Sequence, residues 1–255
     1  MNQKLRKVYT NEDILLHLDF KDSLGLSFNK YYELNETHYI LNNIKNDMHI
    51  IDIGANIGYY TTLFCKKASN GLIYAFEPDL ENFSLLEKNI SKNNFSNVKL
   101  FNKACGEVCC KKELYLSNHN KGDHRLYDVT NEQRNHVLVN VVTLDSLLSD
   151  IQRLDFLKID IQGYELPALK GAIGLLKKFK PIVLSEFWPE GLKINNVSPQ
   201  EYIDFFYHIG YEIYSIDSFY SDSQVIKIEE KSLESLLNTT DNDKNILLIH
   251  KNSKN

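Results

Sequence analysis

The stretch from residue 49 to residue 62, HIIDIGANIGYYTT, limits the fold more than any other part of this chain. It opens with a β-branched apolar run that reads as a buried strand. Asp52 stands at the end of that run, Gly54 and Gly58 follow, and a helix-compatible segment begins at Tyr59. Strand, tight turn and helix start, in that order, mark the place where open α/β sheets hold nucleotide-like ligands. A carboxylate at the tip of a buried strand is costly unless it has a partner, so much of the functional reading turns on what Asp52 meets.

The remaining pattern extends this unit. Residues 59–67 read as the first helix, 72–77 as a second strand ending on Glu77, and the segment after Pro78–Asp79 as a helix with Leu80, Phe83, Leu86 and Ile90 on one face. Further strands are expected at 98–102, 114–117 and 137–142, with a polar segment of 118–135 too long for a simple turn; such loops are often lids or binding loops. Residues 155–161 form the next strand, carrying Asp160. A single helix over 165–179 follows, its start pinned by Pro167, which fits only in a first turn. The strand at 181–187 carries Glu186. Ser198-Pro199-Gln200-Glu201 is a capping box opening another helix. Segments 211–216 and 246–250 make a terminal strand pair, separated by an acidic stretch over 217–244. No helix intervenes there, so the final strand is expected to return antiparallel.

Alternating strands and helices imply a mostly parallel sheet with helices on both faces. Residues 1–48 are expected to form an N-terminal helical cap, with a helix over 36–44, and residues 49–255 the main domain, the two making one compact unit. Asp52, Glu77, Asp160 and Glu186 each stand at or near a strand end, so four carboxylates converge on the crevice where such sheets bind ligands.

Bulk properties remove several classes. Apolar residues make up 43 % and charged residues 25 %, ordinary for a globular chain. The net charge of −5 gives no electrostatic case for nucleic-acid binding. No apolar run is long enough to span a bilayer, and the basic first residues lack the apolar core of a signal peptide; a cytoplasmic protein without membrane association is expected. Cys65, Cys105, Cys109 and Cys110 then read as reduced thiols, and neither they nor the histidines have metal-ligand spacing.

Two nucleotide-like cofactors compete for the crevice. A dinucleotide sets its pyrophosphate at the first glycine turn, usually through G-x-G-x-x-G. This turn has a different glycine spacing and a carboxylate just before it, which would repel phosphate. S-adenosylmethionine has no phosphate and carries an ammonium and a sulfonium. Glu77 is placed to accept two ribose hydroxyls from either cofactor.

The blocks IDIGANIGYYT (51–61), AFEP (75–78) and LKIDIQGYE (157–165) resemble, in order and spacing, the signatures of the FkbM family of class I methyltransferases. The resemblance spans roughly residues 31–216. It implies a seven-stranded Rossmann-like sheet with its last strand antiparallel, S-adenosylmethionine as cofactor, and O-methylation of a sugar or other small hydroxylated metabolite or glycan. It sets Asp52, Gly54, Ala55, Asn56, Gly58, Tyr59, Glu77, Pro78, Lys103, Ala104 and Asp160 around the cofactor. Many members carry Glu where this chain has Gln162, so one charge is missing near the site.

A hydroxyl acceptor is a poor nucleophile and benefits from a general base. Asp160 is the first candidate for that base or for orienting the acceptor, with Glu186 and Glu165 behind it. In the polar loop, His124 could serve as base and Arg125 could grip an anionic acceptor. Each has a structural alternative. Asp52 could cap its turn, Asp160 could hold the Gly163 turn, Glu165 could be an ordinary first-turn acid, Glu186 could orient Trp188, and the loop could be a solvated surface. Two other functions compete: a nicotinamide-dependent oxidoreductase on a similar sheet, and a binding protein that kept the fold without the chemistry.

Overall fold

The computed structural model describes residues 6–128, 132–219, 222–228, 237 and 244–253. The N-terminal segment pairs β1 (Lys7–Tyr9) with β2 (Leu15–His17) in a small hairpin and continues through α1 (Leu26–Asn29) and α2 (Leu34–Asn43). The central unit then runs β3 (His49–Ile53), α3 (Tyr59–Lys67), β4 (Leu72–Phe76), α4 (Leu80–Lys92), β5 (Val98–Phe101), β6 (Ala104–Cys105), β7 (Cys110–Leu116), β8 (Asn135–Val142), α5 (Leu144–Leu147) and β9 (Phe156–Ile159). It ends with α6 (Glu165–Lys170), α7 (Ile173–Phe179), β10 (Ile182–Phe187), α8 (Pro189–Ile194), α9 (Pro199–His208), β11 (Tyr211–Phe219), β12 (Asp222–Lys227) and β13 (Lys244–His250).

The main sheet has the order β12-β11-β13-β10-β9-β3-β4-β5. Strands β10, β9, β3, β4 and β5 are parallel, and β13 lies antiparallel between β10 and β11. This is the Rossmann-like α/β sheet with a reversed last strand. It has eight strands rather than seven, because the chain beyond residue 216 continues β11 and pairs it with β12 at the edge. The rest of the acidic stretch lies partly outside the described residues. Strands β7 and β8 leave the main sheet and form a separate three-stranded one with β6.

Side chains alternate across each strand, and the two faces bury different layers. Ile51, Ile53, Leu157 and Ile159 pack toward α6, α7 and α9. Ile50, Ile73, Ala75 and Leu184 pack toward α2, α3 and the N-terminal hairpin. β3 and β9 sit mid-sheet, covered on both faces, which is why their sequences are nearly continuous apolar runs.

The helix expected over 165–179 is two helices, α6 and α7. The chain bends at Gly171, where a Cβ would lie 2.0 Å from the carbonyl oxygen of Gly106. The second helix is capped from outside by Asp145, whose carboxylate accepts from the amides of Gly174 and Leu175 at 2.7 and 2.8 Å. A period-based reading does not register a cap delivered from another element. Among the described residues no helix is long and apolar enough to cross a membrane.

Candidate active site

The carboxyl ends of β3, β4 and β9 open onto a cleft of about 1130 Å³, its open mouth included. Its floor is the turn after β3. Gly54 has φ +82°, and a Cβ there would stand 2.0 Å from the carbonyl oxygen of Asp160, so the turn approaches β9 closely only because residue 54 is glycine. Gly54 and Ala55 both donate to the Phe76 carbonyl. Asn56 is also left-handed, with φ +51°, a conformation that asparagine tolerates better than most residues.

Glu77 forms one wall. It is buried, and its two oxygens accept from the amides of Asn56 and Asp79, each at 2.9 Å. A carboxylate offers about four lone-pair sites, so acceptor capacity remains beyond these two bonds. Burial raises its pKa to about 8, against the opposing pull of the two amides.

Asp52 does not line the cleft. Its register partner on β9 is Lys158, and both point to the face covered by α3. Asp52 Oδ2 accepts from Thr61 Oγ1 at 2.6 Å, while Oδ1 has no hydrogen-bond partner. Burial pushes its pKa up, and Lys158 and Thr61 pull it back. Lys158 is only 3 % exposed. Its Nζ lies 3.3 Å from Asp160 Oδ2 and 4.8 Å from the centre of the Tyr60 ring. Burial disfavours the ammonium, but Asp160, Asp52 and Glu33 outweigh it and hold the lysine charged. Asp52 therefore anchors the turn from below and does not face the ligand directly. Gly58 likewise sits outside the lining, at the N-cap of α3, where a Cβ would meet Leu86 at 2.5 Å.

Gly54, Ala55, Asn56, Tyr59, Glu77, Pro78, Lys103, Ala104, Asp160, His124 and Glu186 do line the cleft. Asp160 is bound on one side by Lys158 and on the other by Gln162, whose Nε2 donates to Asp160 Oδ1 at 3.1 Å and reaches both oxygens of Glu186 at 3.1 and 3.2 Å. The one amide thus bridges two carboxylates. Gln162 has φ +56°, beside Gly163 at +91°. A side-chain-bearing residue in that region costs about 1 kcal/mol, and the turn is held regardless. The holder is Glu165, not Asp160. Its Oε1 accepts from the amides of Ile161 and Gly163 at 3.0 and 3.2 Å. Burial raises Glu165 to about 7. It lies beneath the turn rather than in the cleft, which removes it as a base.

His124 lines the cleft, but its Nδ1 accepts from the Ser117 amide at 3.0 Å. Burial lowers its pKa, and with Nδ1 accepting an amide the ring proton sits on Nε2. It offers a donor, not a base. Arg125, the expected anion grip, is paired with an acid and lies against an aromatic ring. Its Nε is 2.6 Å from Asp123 Oδ1, and its guanidinium lies 4.7 Å from the centre of the Trp188 ring.

Several lining groups escaped the sequence reading. Lys158 carried a signal, since a lysine inside an apolar central strand must be paired. Tyr60 lay inside the quoted motif. Asn82, Leu24 and Tyr32 had none, because they reach the cleft only through tertiary packing. Glu33 adjoins this wall, its Oε2 accepting from the Tyr60 hydroxyl at 2.7 Å. Burial and then Asp160 raise it to about 7.

A profile for the methyltransferase FkbM domain matches residues 52–213. The chain belongs to the FkbM methyltransferase family. Its relatives include Methyltransferase 1 of Beauveria bassiana, 26 % identical over 187 residues, covering 66 % of this chain and 75 % of that one. The hexuronic acid methyltransferase AglP of Haloferax volcanii is 21 % identical over 150 residues, covering 57 % and 58 %. Among solved structures, a methyltransferase FkbM from Methylobacillus flagellatus KT superposes with a TM-score of 0.50 at 18 % identity. It shares the fold over 82 % of this chain, which spans 45 % of that protein's length. The cleft lies within the matched methyltransferase domain, apart from its edge contributed by Leu24 and Tyr32.

Proposed function

We propose that this FkbM-family protein transfers the methyl group of S-adenosylmethionine to a hydroxyl of a sugar or other small hydroxylated metabolite or glycan. The observation that carries the cofactor reading is Glu77: a buried carboxylate at a strand tip, fixed by two backbone amides, with lone pairs left for a ribose diol. Three buried polar atoms on lining residues make no hydrogen bond within the protein: Asn56 Oδ1, Asn82 Oδ1 and His124 Nε2, the last lying 4.0 Å from Asp79 Oδ1. Such atoms are costly unless a ligand or water meets them, and two acceptors and a donor suit a nucleoside. Gly54 and Ala55 give their amides to Phe76, and Asn56 gives its amide to Glu77. These three amides are already taken and are not free to hold a pyrophosphate.

Bound S-adenosylmethionine supplies an electrophilic methyl on a sulfonium. The chain's own residues orient the acceptor and take its proton. Asp160 is the first candidate for that role, with Glu186 across the Gln162 bridge as its partner. Positioning supplies much of the rate in an in-line displacement, and the locked turn at 160–165 suits that task. A thermal-shift series with S-adenosylmethionine, S-adenosylhomocysteine and NAD tests the reading. Stabilisation by the first two and not by NAD is expected; stabilisation by NAD alone supports the oxidoreductase reading instead.

A further inference from the structure

A second cavity, of about 810 Å³ with its mouth, joins the cleft at Gln162 and Glu186. Its wall includes Asp123, Arg125, Glu132 and Trp188. Gln162, which binds Asp160, lines both spaces, so this cavity offers room for an acceptor beside Asp160 if the methyltransferase reading holds. Its charges decide what fits.

Arg125 is the sole lysine or arginine on that wall among the described residues, and its charge is offset by an adjacent acid. Its Nε pairs with Asp123 at 2.6 Å, and its guanidinium carbon lies 4.7 Å from the centre of the Trp188 ring. The other Asp123 oxygen is taken by Arg134 at 2.6 Å, and Arg134 Nε pairs with Glu132 at 2.6 Å. Two arginines and two acids thus close on one another, and Arg134 is almost fully buried in doing so. Glu186 adds a carboxylate at the junction with the cleft, where Lys158 is shared among Asp160, Asp52 and Glu33. On the wall of this second cavity three carboxylates, Asp123, Glu132 and Glu186, face the single arginine, so the space itself is net acidic. Hydroxyl groups can donate to Glu186 and exchange hydrogen bonds with Ser117 and Asn120, which also line the cavity.

We propose that the acceptor is an uncharged polyhydroxylated molecule, and that the closed Asp123–Arg125–Arg134–Glu132 network beside Glu186 screens out carboxylate-bearing acceptors. This rests on the proposed methyl transfer. It also separates this chain from its relative AglP, a hexuronic acid methyltransferase.

The test uses the full chain with saturating S-adenosylmethionine labelled in the methyl group. The probes are the methyl glycosides of glucose, galactose and mannose, and those of glucuronic and galacturonic acid. The neutral glycosides are expected to show kcat/KM at least tenfold above their matched uronates. In Asp123→Asn, which loosens Arg125, that ratio should narrow. Uronates used as well as neutral sugars, no transfer to any neutral glycoside while S-adenosylmethionine binds, or an unchanged ratio in Asp123→Asn would each overturn the proposal. Absence of S-adenosylmethionine binding in a parallel calorimetric titration would instead overturn the methyltransferase reading beneath it.

Discussion

The two halves of the cleft are built differently. On the β3–β4 side every donor is a backbone amide: those of Gly54 and Ala55 to the Phe76 carbonyl, and those of Asn56 and Asp79 to the Glu77 side chain. On the β9–β10 side they run between side chains: Lys158 to Asp160, Gln162 to Asp160 and Glu186, and Arg125 and Arg134 to Asp123. A wall made from backbone amides is fixed by the turn and survives most substitutions. A wall made from side chains changes with a single residue. Within one family the first can stay with a common cofactor while the second diverges among acceptors.

That contrast can be broken by substitutions on each side. The largest effect is expected at Asp160. Asp160→Ala should lower kcat by about 10²–10⁴, the usual contribution of a general base, while affinity for S-adenosylhomocysteine measured by calorimetry stays near wild type. Loss of affinity without loss of turnover would move Asp160 to the cofactor side. Gly54→Ala comes next. A Cβ 2.0 Å from the Asp160 carbonyl, at φ +82°, should destabilise the fold by about 3 kcal/mol. At this chain length that lowers Tm by roughly 6–12 °C, read by calorimetric melting. An unchanged Tm would mean that the turn and β9 can separate freely.

Glu77→Ala should weaken S-adenosylmethionine binding by about 10- to 100-fold, in line with losing hydrogen bonds to a charged group, and should also lower stability by about 1–3 kcal/mol by leaving the Asn56 and Asp79 amides unpaired. The smallest effect is in pH. The Glu77 carboxyl is raised to about 8 in the folded protein, against about 4.3 in an unfolded chain. The folded state then holds an extra proton between these values, so this group's contribution to stability falls as pH rises through that window. Ribose hydroxyls favour the ionised form, so cofactor affinity should rise with pH up to about 8. Binding at pH 7 should release a proton, measurable by titration in buffers of differing ionisation enthalpy. Glu77→Gln should abolish the release.

The cofactor half was legible because its signal is local. Residues 51–61 and 75–78 carry the strand ends, the glycines and the acid within one contiguous βαβ unit, and the expected strands and helices there match β3, α3, β4 and α4 closely. The part that misled was orientation. Asp52 reads as a cleft residue until the register pairs it with Lys158 and turns both toward α3. The acceptor half was legible only as a list of polar residues. That Gln162 also reaches Glu186 depends on a strand 24 residues further along, while Glu165 holding the turn and Arg125 pairing with Asp123 are contacts over two to four residues whose direction only the folded backbone sets. No periodicity encodes such meetings. Gln162 looked like a missing charge, whereas its amide can hold together two carboxylates that a glutamate at 162 would repel.

The central claim is that the Glu77 carboxylate and the Gly54 turn hold the nucleoside of S-adenosylmethionine with its reactive end toward Asp160. A crystal structure of the protein with S-adenosylhomocysteine tests it most directly. Both ribose hydroxyls should lie at hydrogen-bonding distance, about 2.5–3.0 Å, from the Glu77 oxygens, with the sulfur on the Asp160 side of the cleft. S-adenosylhomocysteine bound elsewhere, or bound in the cleft with its ribose away from Glu77, would contradict the account.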